Sequence, residues 1–246
     1  MSPFWWRKIK YVGSKSRLAK DIVPILQNYI DSNDIKTYIE PFVGGANIID
    51  KIKCDMKIGY DNNEYLISMW NALQKGYEPP EDITKEEYKY VKDHKDEFSK
   101  EYIAIVGFCA TYNAGWFRRY GGSTITKEGK KRNYYQEAIR NIQKQVPNIM
   151  DVNFKVGDFF MLSCNNCLLY CDPPYQSSHY IMYEEQGFNY EKYWDKIRGL
   201  SKDNIVICSE YYAPDDFDVI YERKLTTTFD NKNRKIDTEK LFIYGR

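Results

Sequence analysis

The sequence predicts an α/β fold built on a doubly wound, mostly parallel sheet, and three observations carry that expectation. Short apolar runs recur along the chain, each ending in Gly, Asp, Asn or Pro. Their hydrophobicity is continuous rather than alternating, as in strands buried on both faces. Between them lie stretches whose apolar residues recur at helical spacing.

The expected strands are Tyr38–Val43, Lys57–Tyr60, Val152–Val156, Cys167–Cys171 and Ile205–Ser209. Arg17–Ile30 places Leu18, Ile22, Ile25, Leu26 and Tyr29 on one helical face, and Glu64–Gln74 does the same with Leu66, Ile67, Trp70 and Leu73. The alternation breaks between about Gly76 and Asn148. Pro79-Pro80 opens that stretch and Pro147 closes it. It is expected to be a mostly helical insertion on the sheet's C-terminal edge, so that residues 1–75 and 149–246 form the core and 76–148 the insertion. The tail offers two further strands, Asp218–Leu225 and Lys240–Tyr244, joined by the polar connection TTTFDNKNRKIDTE as an antiparallel hairpin.

A chain of 246 residues suits one substantial domain, alone or with a smaller insertion, and 43% hydrophobic residues are enough to bury a core. Aromatics at 16% suggest stacking surfaces, or an AT-rich coding bias. The net charge of +1 gives no global nucleic-acid signature, but charge segregates locally. Phe117 to Gln145 carries eight Lys or Arg against two acids, whereas Glu78 to Glu101 carries nine acids against five Lys. No apolar run is long enough to cross a membrane, and MSPFWWRKIKYVGSK has neither the h-region nor the cleavage site of a signal peptide. Six cysteines without disulfide-framework spacing favour a reducing cytosol, so a cytoplasmic location is expected.

Three segments carry the chemistry. Tyr38-Ile-Glu-Pro-Phe-Val-Gly-Gly-Ala-Asn47 is a strand entering a glycine turn and then a helix. Gly44 and Gly45 let the backbone approach a ligand, although a tight strand-to-helix turn explains them equally well. Lys57-Ile-Gly-Tyr-Asp61-Asn62 is a second strand ending in an acid, 21 residues beyond Glu40. Such an acid accepts from ribose hydroxyls in a βαβ nucleotide site, or else caps the next helix. The glycines depart from GxGxxG, which disfavours a nicotinamide dinucleotide. Third, Leu168-Leu-Tyr-Cys-Asp172-Pro173-Pro174-Tyr175 ends a buried strand. The last four residues arise by chance roughly once in a thousand chains of this size. Two prolines stop the strand and fix the backbone just beyond it. The Asp172 side chain and the Pro173 carbonyl then offer two acceptors for an exocyclic amine, and Tyr175 a flat face for a base.

With these segments in this order, the chain resembles the Dam-type (D12 class, group alpha) adenine-N6 DNA methyltransferases over nearly its whole length. Lys10-Tyr-Val-Gly-Ser-Lys15 resembles the family's N-terminal cofactor motif, with Tyr11-Val12 where the family usually has Trp. EPFVGGAN resembles its methionine-binding loop, Asp61 its ribose-binding acid, Gly157-Asp158-Phe159 its adenine-ring site and DPPY its catalytic tetrad. Cys208-Ser-Glu-Tyr-Tyr-Ala-Pro-Asp-Asp-Phe217 is especially similar to phage and prophage members.

The resemblance implies a Rossmann-like methyltransferase sheet, S-adenosyl-L-methionine as cofactor, and site-specific methylation of adenine N6 in double-stranded DNA. Asp172, Pro173, Pro174 and Tyr175 would be catalytic. Tyr11 and Lys15 would hold the cofactor's amino-acid portion beside Glu40, Pro41, Phe42, Gly44 and Gly45. Asp61 with Asn62 would take the ribose, Asp158 and Phe159 the adenine ring, and the target base would be flipped out of the duplex. No metal and no covalent enzyme intermediate is implied. The insertion coincides with the family's recognition region. Its Tyr112, Asn113, Trp116, Arg118 and Arg119 would read bases, while Lys127, Lys130, Lys131 and Arg132 would neutralise phosphates. A helix with a solvated basic face is the alternative. Cys164-Asn-Asn-Cys167 lacks the second pair of a structural zinc site, and His179, four residues past Tyr175, would belong to the expected active-site loop, with contact to DNA the lesser of its readings.

A cognate restriction endonuclease is a partner the resemblance allows; target sequence and oligomeric state stay open, with GATC the family's commonest association. Methylation of RNA or of a protein amide is a second reading, although those families more often carry Asn-Pro-Pro-Tyr. A non-catalytic DNA-binding protein that kept the fold is a third.

Overall fold

The computed structural model describes residues 15–112, 115–125, 129–175, 187–230 and 233–245. Five strands form the parallel part of the main sheet: β1 (Thr37–Glu40), β2 (Met56–Asp61), β5 (Val152–Val156), β6 (Cys167–Cys171) and β7 (Ile205–Glu210). A long antiparallel hairpin, β8 (Phe217–Asp230) and β9 (Asn233–Tyr244), completes it. The order across the sheet is β5-β2-β1-β6-β7-β9-β8. Counted along the main sheet alone, this is 3-2-1-4-5-7-6. It is the Rossmann order with one antiparallel strand inserted between the last two. The chain winds outward from β1 in both directions, so a crevice opens between the carboxyl ends of β1 and β6.

The parallel strands are buried because helices cover both faces. α1 (Ala19–Ser32) and α2 (Glu64–Gln74) pack on one face against Tyr38, Leu168, Tyr170 and Ile207. The neighbouring residues Ile39, Leu169, Cys171, Val206 and Cys208 point the other way, as strand geometry requires, and meet a helix over Tyr190–Leu200 through Tyr193, Trp194 and Ile197. Asn63 and Asn189 start their helices by accepting the amides of Leu66 and Lys192.

Residues 76–148 hold α3 (Lys85–Asp93), α4 (Lys100–Ala104), which runs into a wide turn over Ile105–Cys109, and α5 (Tyr134–Gln145). A small hairpin, β3 (Ser123–Ile125) with β4 (Lys131–Asn133), adds strand to a stretch expected to be mostly helical. Ile83, Tyr88, Ile103, Val106, Phe117 and Ile142 belong to the same hydrophobic cluster as α1 and α2, so this stretch shares its core with one face of the sheet. Tyr190–Leu200, the last helix, is α6.

Most boundaries shift by one or two residues, and two differ by more. β1 stops at Glu40 rather than Val43, since Pro41 has no N–H for the ladder. The described residues of the polar segment 226–239 are themselves strand, paired from Thr226↔Ile236 to Asp230↔Asn233 with a register shift on the way. A two-stranded ribbon satisfies its backbone through its own ladder, so its polar side chains gave no strand signal.

Candidate functional site

Three connections leave the carboxyl ends of β1, β2 and β5 and are tied to one another by backbone bonds. After β1 the chain passes Pro41 and Phe42, and the Val43 amide donates to the carbonyl of Tyr60 on β2 at 2.8 Å. The Gly44 amide donates to Asp61 Oδ2 at 3.1 Å, and Asp61 Oδ1 accepts from the Asn63 amide at 3.0 Å. Gly44 sits at φ +46°, a left-handed conformation in which a side chain is strained. Trp70 Nε1 donates to its carbonyl at 3.0 Å, and Gln145 Nε2 donates to the carbonyls of Gly45 and Ala46 at 3.0 and 2.9 Å. The glycine loop is thus held from α2 and from α5. Burial pushes the Asp61 carboxyl above its ordinary range, against the pull of the Asn63 and Gly44 amides. A carboxylate has about four lone-pair sites; these two bonds leave capacity for hydroxyl donors.

Beside Asp61, a pocket of about 320 Å³ is lined by Pro41, Tyr60, Gly157, Asp158, Phe159, Met161, Leu162 and Ser163. That volume lies at the lower end of the small-molecule range. The Gly157 amide donates to the Asp61 carbonyl at 3.0 Å, fixing the β5 exit against β2. Asp158 Oδ1 accepts the Phe160 amide at 2.9 Å, and Phe159 packs on Phe42 with ring centroids 5.1 Å apart. Apolar walls, one acid and a neighbouring strand-end acid suit a nucleoside. The structure brings Pro41 into the same pocket as Asp158 and Phe159, with Asp61 at their side and Asn62 exposed next to it.

A second cluster forms beyond β6. Lys15 precedes α1 and is 8% exposed, and its Nζ lies 2.7 Å from Asp172 Oδ1 and 3.6 Å from Glu239 Oε1. The same ammonium lies 4.3 Å from the Tyr175 ring centroid. The Tyr175 hydroxyl donates to Glu239 Oε1, and Ser209 Oγ donates to the same oxygen at 2.7 Å. Tyr190 on α6 donates its hydroxyl to the Pro174 carbonyl at 2.9 Å and holds the Asp-Pro-Pro-Tyr turn, in which Pro173 is buried. Burial raises the Asp172 carboxyl to about 6, opposed by Lys15 and reinforced by Glu239. Burial alone would lower Lys15, but Asp172 and Glu239 outweigh it and raise it.

Glu40, at the end of β1, stands between the two clusters. It is 3% exposed and accepts the Tyr38 hydroxyl at 2.7 Å. Burial lifts its carboxyl to about 8; the Tyr38 bond works against this, and Asp50 and Asp172 add to it.

In the insertion, the Tyr112 amide donates to the Arg119 carbonyl at 2.7 Å, so the backbones of these two residues lie side by side. Tyr112, Arg118, Arg119, Lys130 and Lys131 are exposed. Arg132 is engaged within the chain: Nε and Nη2 donate to Glu137 at 2.6 and 2.7 Å, and the guanidinium lies over Tyr134. Trp116 faces inward, against Phe108, Phe117 and Tyr65, the last in the first turn of α2. Gly107 is required beneath it, because a Cβ there would come within 2.6 Å of the Trp116 and Phe117 rings. Tyr11, Asn113, Lys127 and His179 lie outside the described residues.

Sequence reasoning did not single out Glu239, Ser209 or Gln145. None stands in a local pattern; each is placed by pairing with residues distant in sequence.

Residues 11–235 match the family described as D12 class N6 adenine-specific DNA methyltransferase. The Type II methyltransferase M.FokI of Planomicrobium okeanokoites is 23% identical over 190 residues, 68% of this chain and 28% of the relative, so the chain spans little more than a quarter of that protein. The DNA adenine methylase of Vibrio cholerae is 21% identical over 73% of this chain and 70% of its own length. The Type II methyltransferase M.MjaIII of Methanocaldococcus jannaschii is 23% identical over 87% of both chains. With the sheet order, the strand-end acids and the Asp-Pro-Pro-Tyr turn already in place, the chain belongs to the D12 class N6 adenine-specific DNA methyltransferase family and has a Rossmann-like methyltransferase fold.

Proposed function

We propose that this protein transfers a methyl group from S-adenosylmethionine to N6 of an adenine flipped out of double-stranded DNA. The observation that carries the proposal is the Lys15–Asp172 pair at 2.7 Å, set at the carboxyl end of β6 and sharing the Tyr175 ring. It stands across the crevice from the nucleoside-sized pocket.

Each residue then has a task. Asp61 takes the ribose hydroxyls with its remaining lone pairs, and Asp158 accepts an amine at the rim of the pocket while Phe159 packs on the ring. Glu40 and the loop through Gly44 face the amino-acid portion. When bound, S-adenosylmethionine supplies a methyl group on a cationic sulfur that leaves as a neutral thioether. Asp172 and the Pro173 carbonyl accept the two N–H groups of the target amine, which aims the nitrogen lone pair at that methyl. Tyr175 stacks the base on the face opposite Lys15. Asp172 takes up the proton that the methylated amine releases and returns it to solvent. Positioning and fixed charge supply the catalysis.

Exposed Tyr112, Arg118, Arg119, Lys130 and Lys131 form the DNA-contacting side of the insertion. Arg132, held by Glu137, lies over the Tyr134 ring. A cognate endonuclease and a cytoplasmic setting belong to the same reading.

The test is modification sequencing of DNA from a methylation-free host expressing the chain, with Asp172→Ala in parallel. Adenine-N6 methylation in one short motif, absent in the variant, is the expected result. Unmodified DNA from a well-folded chain that binds S-adenosylmethionine would move the proposal to another substrate.

A further inference from the structure

We propose that Glu239 is a positioning residue of the transfer site, acting through Tyr175 and Lys15; the assignment rests on the reading of the site given above. Glu239 lies on β9, beyond the 11–235 span that matches the family. It is 2% exposed, and a buried carboxylate is costly unless paired and hydrogen-bonded. Here it is the hub of the cluster. Its Oε1 accepts the hydroxyls of Tyr175 and Ser209 and lies 3.6 Å from Lys15 Nζ. Ser209 is fully buried on β7, directly across from Leu241 of β9, so the sheet fixes the acid's position.

Two consequences follow for the reacting groups. The Tyr175 phenol is anchored at its oxygen, which leaves the ring fixed in plane and angle for a base to stack on. Lys15 is shared between two acids rather than committed to Asp172, and the second negative charge keeps Asp172 a stronger acceptor. The groups facing Asp172 are Lys15 ahead of α1, Glu40 on β1, Tyr170 on β6, Tyr175 after it and Glu239 on β9. Among them, Glu239 is the acid that also holds the stacking ring. The antiparallel strand added to the Rossmann order thus delivers a charge to a site otherwise built at the carboxyl ends of parallel strands.

The experiment compares wild type, Glu239→Gln, Glu239→Asp and Tyr175→Phe as full chains. Readouts are kcat and KM for DNA and S-adenosylmethionine between pH 5 and 8.5, thermal unfolding, and the ring-carbon NMR signal of Tyr175 without substrate, assigned by its loss in Tyr175→Phe. The expected result for Glu239→Gln is a kcat loss of about tenfold or more, with the KM for S-adenosylmethionine changed less than about threefold. The acid limb of the profile moves to lower pH and the Tyr175 signal shifts. Glu239→Asp keeps the wild-type acid limb while losing part of kcat. An unmoved Tyr175 signal, or wild-type kcat with an unmoved acid limb, overturns the assignment. Should Glu239→Gln not fold, Tyr175→Phe decides: reduced kcat supports the anchor, and wild-type kcat removes it. A wild-type chain that leaves adenine unmethylated overturns the function instead, and the substrate-free Tyr175 signal still judges Glu239.

Discussion

Lys15 Nζ lies 2.7 Å from Asp172 Oδ1, so the segment ahead of α1 closes onto the turn after β6. The side chains are 9% and 18% exposed, dry enough for the pair to act as one unit. Lys15→Ala leaves Asp172 and Glu239 facing each other without a cation. Breaking such a buried pair costs about 3–5 kcal/mol. The expected outcome is a lower urea midpoint and a transfer rate reduced by about 100-fold. Adding Asp172→Asn should recover part of the stability and none of the rate. Additive stability losses in that double-mutant cycle would show that the two residues do not interact.

The raised carboxyl of Asp172 sets the pH response. Its folded value of about 6 exceeds the ordinary aspartate range, with burial as the largest cause. Between about pH 4 and 6 the folded chain holds a proton that the unfolded chain has released, so the stability Asp172 contributes is lost as pH rises through that window. Activity runs the other way, because only the ionised carboxylate accepts both from the amine and from Lys15. Single-turnover rates should fall about tenfold per pH unit below about 6 and level off above it. A flat profile from pH 5 to 7 would remove Asp172 as the acceptor.

The parts of this site legible in the sequence are those that local backbone chemistry encodes. The β6 run ending in Asp172-Pro173-Pro174-Tyr175 is fully buried and stops where the prolines stop it. Asp61 shows as an acid closing a strand; in the structure it accepts the amides of Gly44 and Asn63, while the cap of α2 is Asn63 itself. Glu239 was hidden, because Ser209 reaches it through the β7–β9 register and Tyr175 from the turn after β6, both distant in sequence. Arg132 and Trp116 show the reverse limit. Composition marks them as DNA-facing residue types, whereas Glu137 and the Phe108–Phe117 pocket decide where they point.

If Glu40 faces the cofactor as proposed, binding should depend on pH. Burial holds its carboxyl at about 8, so at neutral pH the free protein keeps it largely protonated. A cationic ligand beside it favours the ionised form, so binding expels a proton. Affinity for S-adenosylmethionine should rise with pH up to about 8, by at most about tenfold per unit. Titration calorimetry in two buffers of different ionisation enthalpy measures the released proton directly. Glu40→Gln should abolish both the release and the pH dependence. A wild-type affinity flat from pH 6.5 to 9 would place the cation elsewhere.

Arg118 and Arg119 are exposed, and the Arg119 carbonyl accepts the amide of exposed Tyr112. If both neutralise phosphates, Arg118→Ala with Arg119→Ala should weaken DNA binding and lower the slope of log K against log salt by about 1.8. If either reads a base edge, the loss should fall on the target sequence more than on random DNA, by about 1–3 kcal/mol. Filter binding at several salt concentrations, with target and scrambled duplexes, separates the two. Unchanged slope and unchanged preference would remove the pair from the interface.

Gln145 joins α5 to the glycine loop after β1. It closes α5, is 2% exposed, and its amide nitrogen donates to the carbonyls of Gly45 and Ala46. Gln145→Ala leaves two buried carbonyls without a donor, at about 1–3 kcal/mol each before relaxation. A loop freed in this way costs more to order around a ligand, so the KM for S-adenosylmethionine should rise several-fold. Because α5 follows directly on the β3–β4 hairpin, the same link would let DNA on the insertion alter the loop. Any coupling of this kind is reciprocal: each ligand changes the affinity of the other by the same factor. The measurement is the S-adenosylmethionine dissociation constant with and without target DNA, in wild type and Gln145→Ala. Wild type should bind the cofactor more tightly with DNA present, and the variant should lose that difference along with part of its affinity. A variant with weaker cofactor binding but undiminished coupling would make Gln145 a support of the loop alone and put the connection between the sites elsewhere.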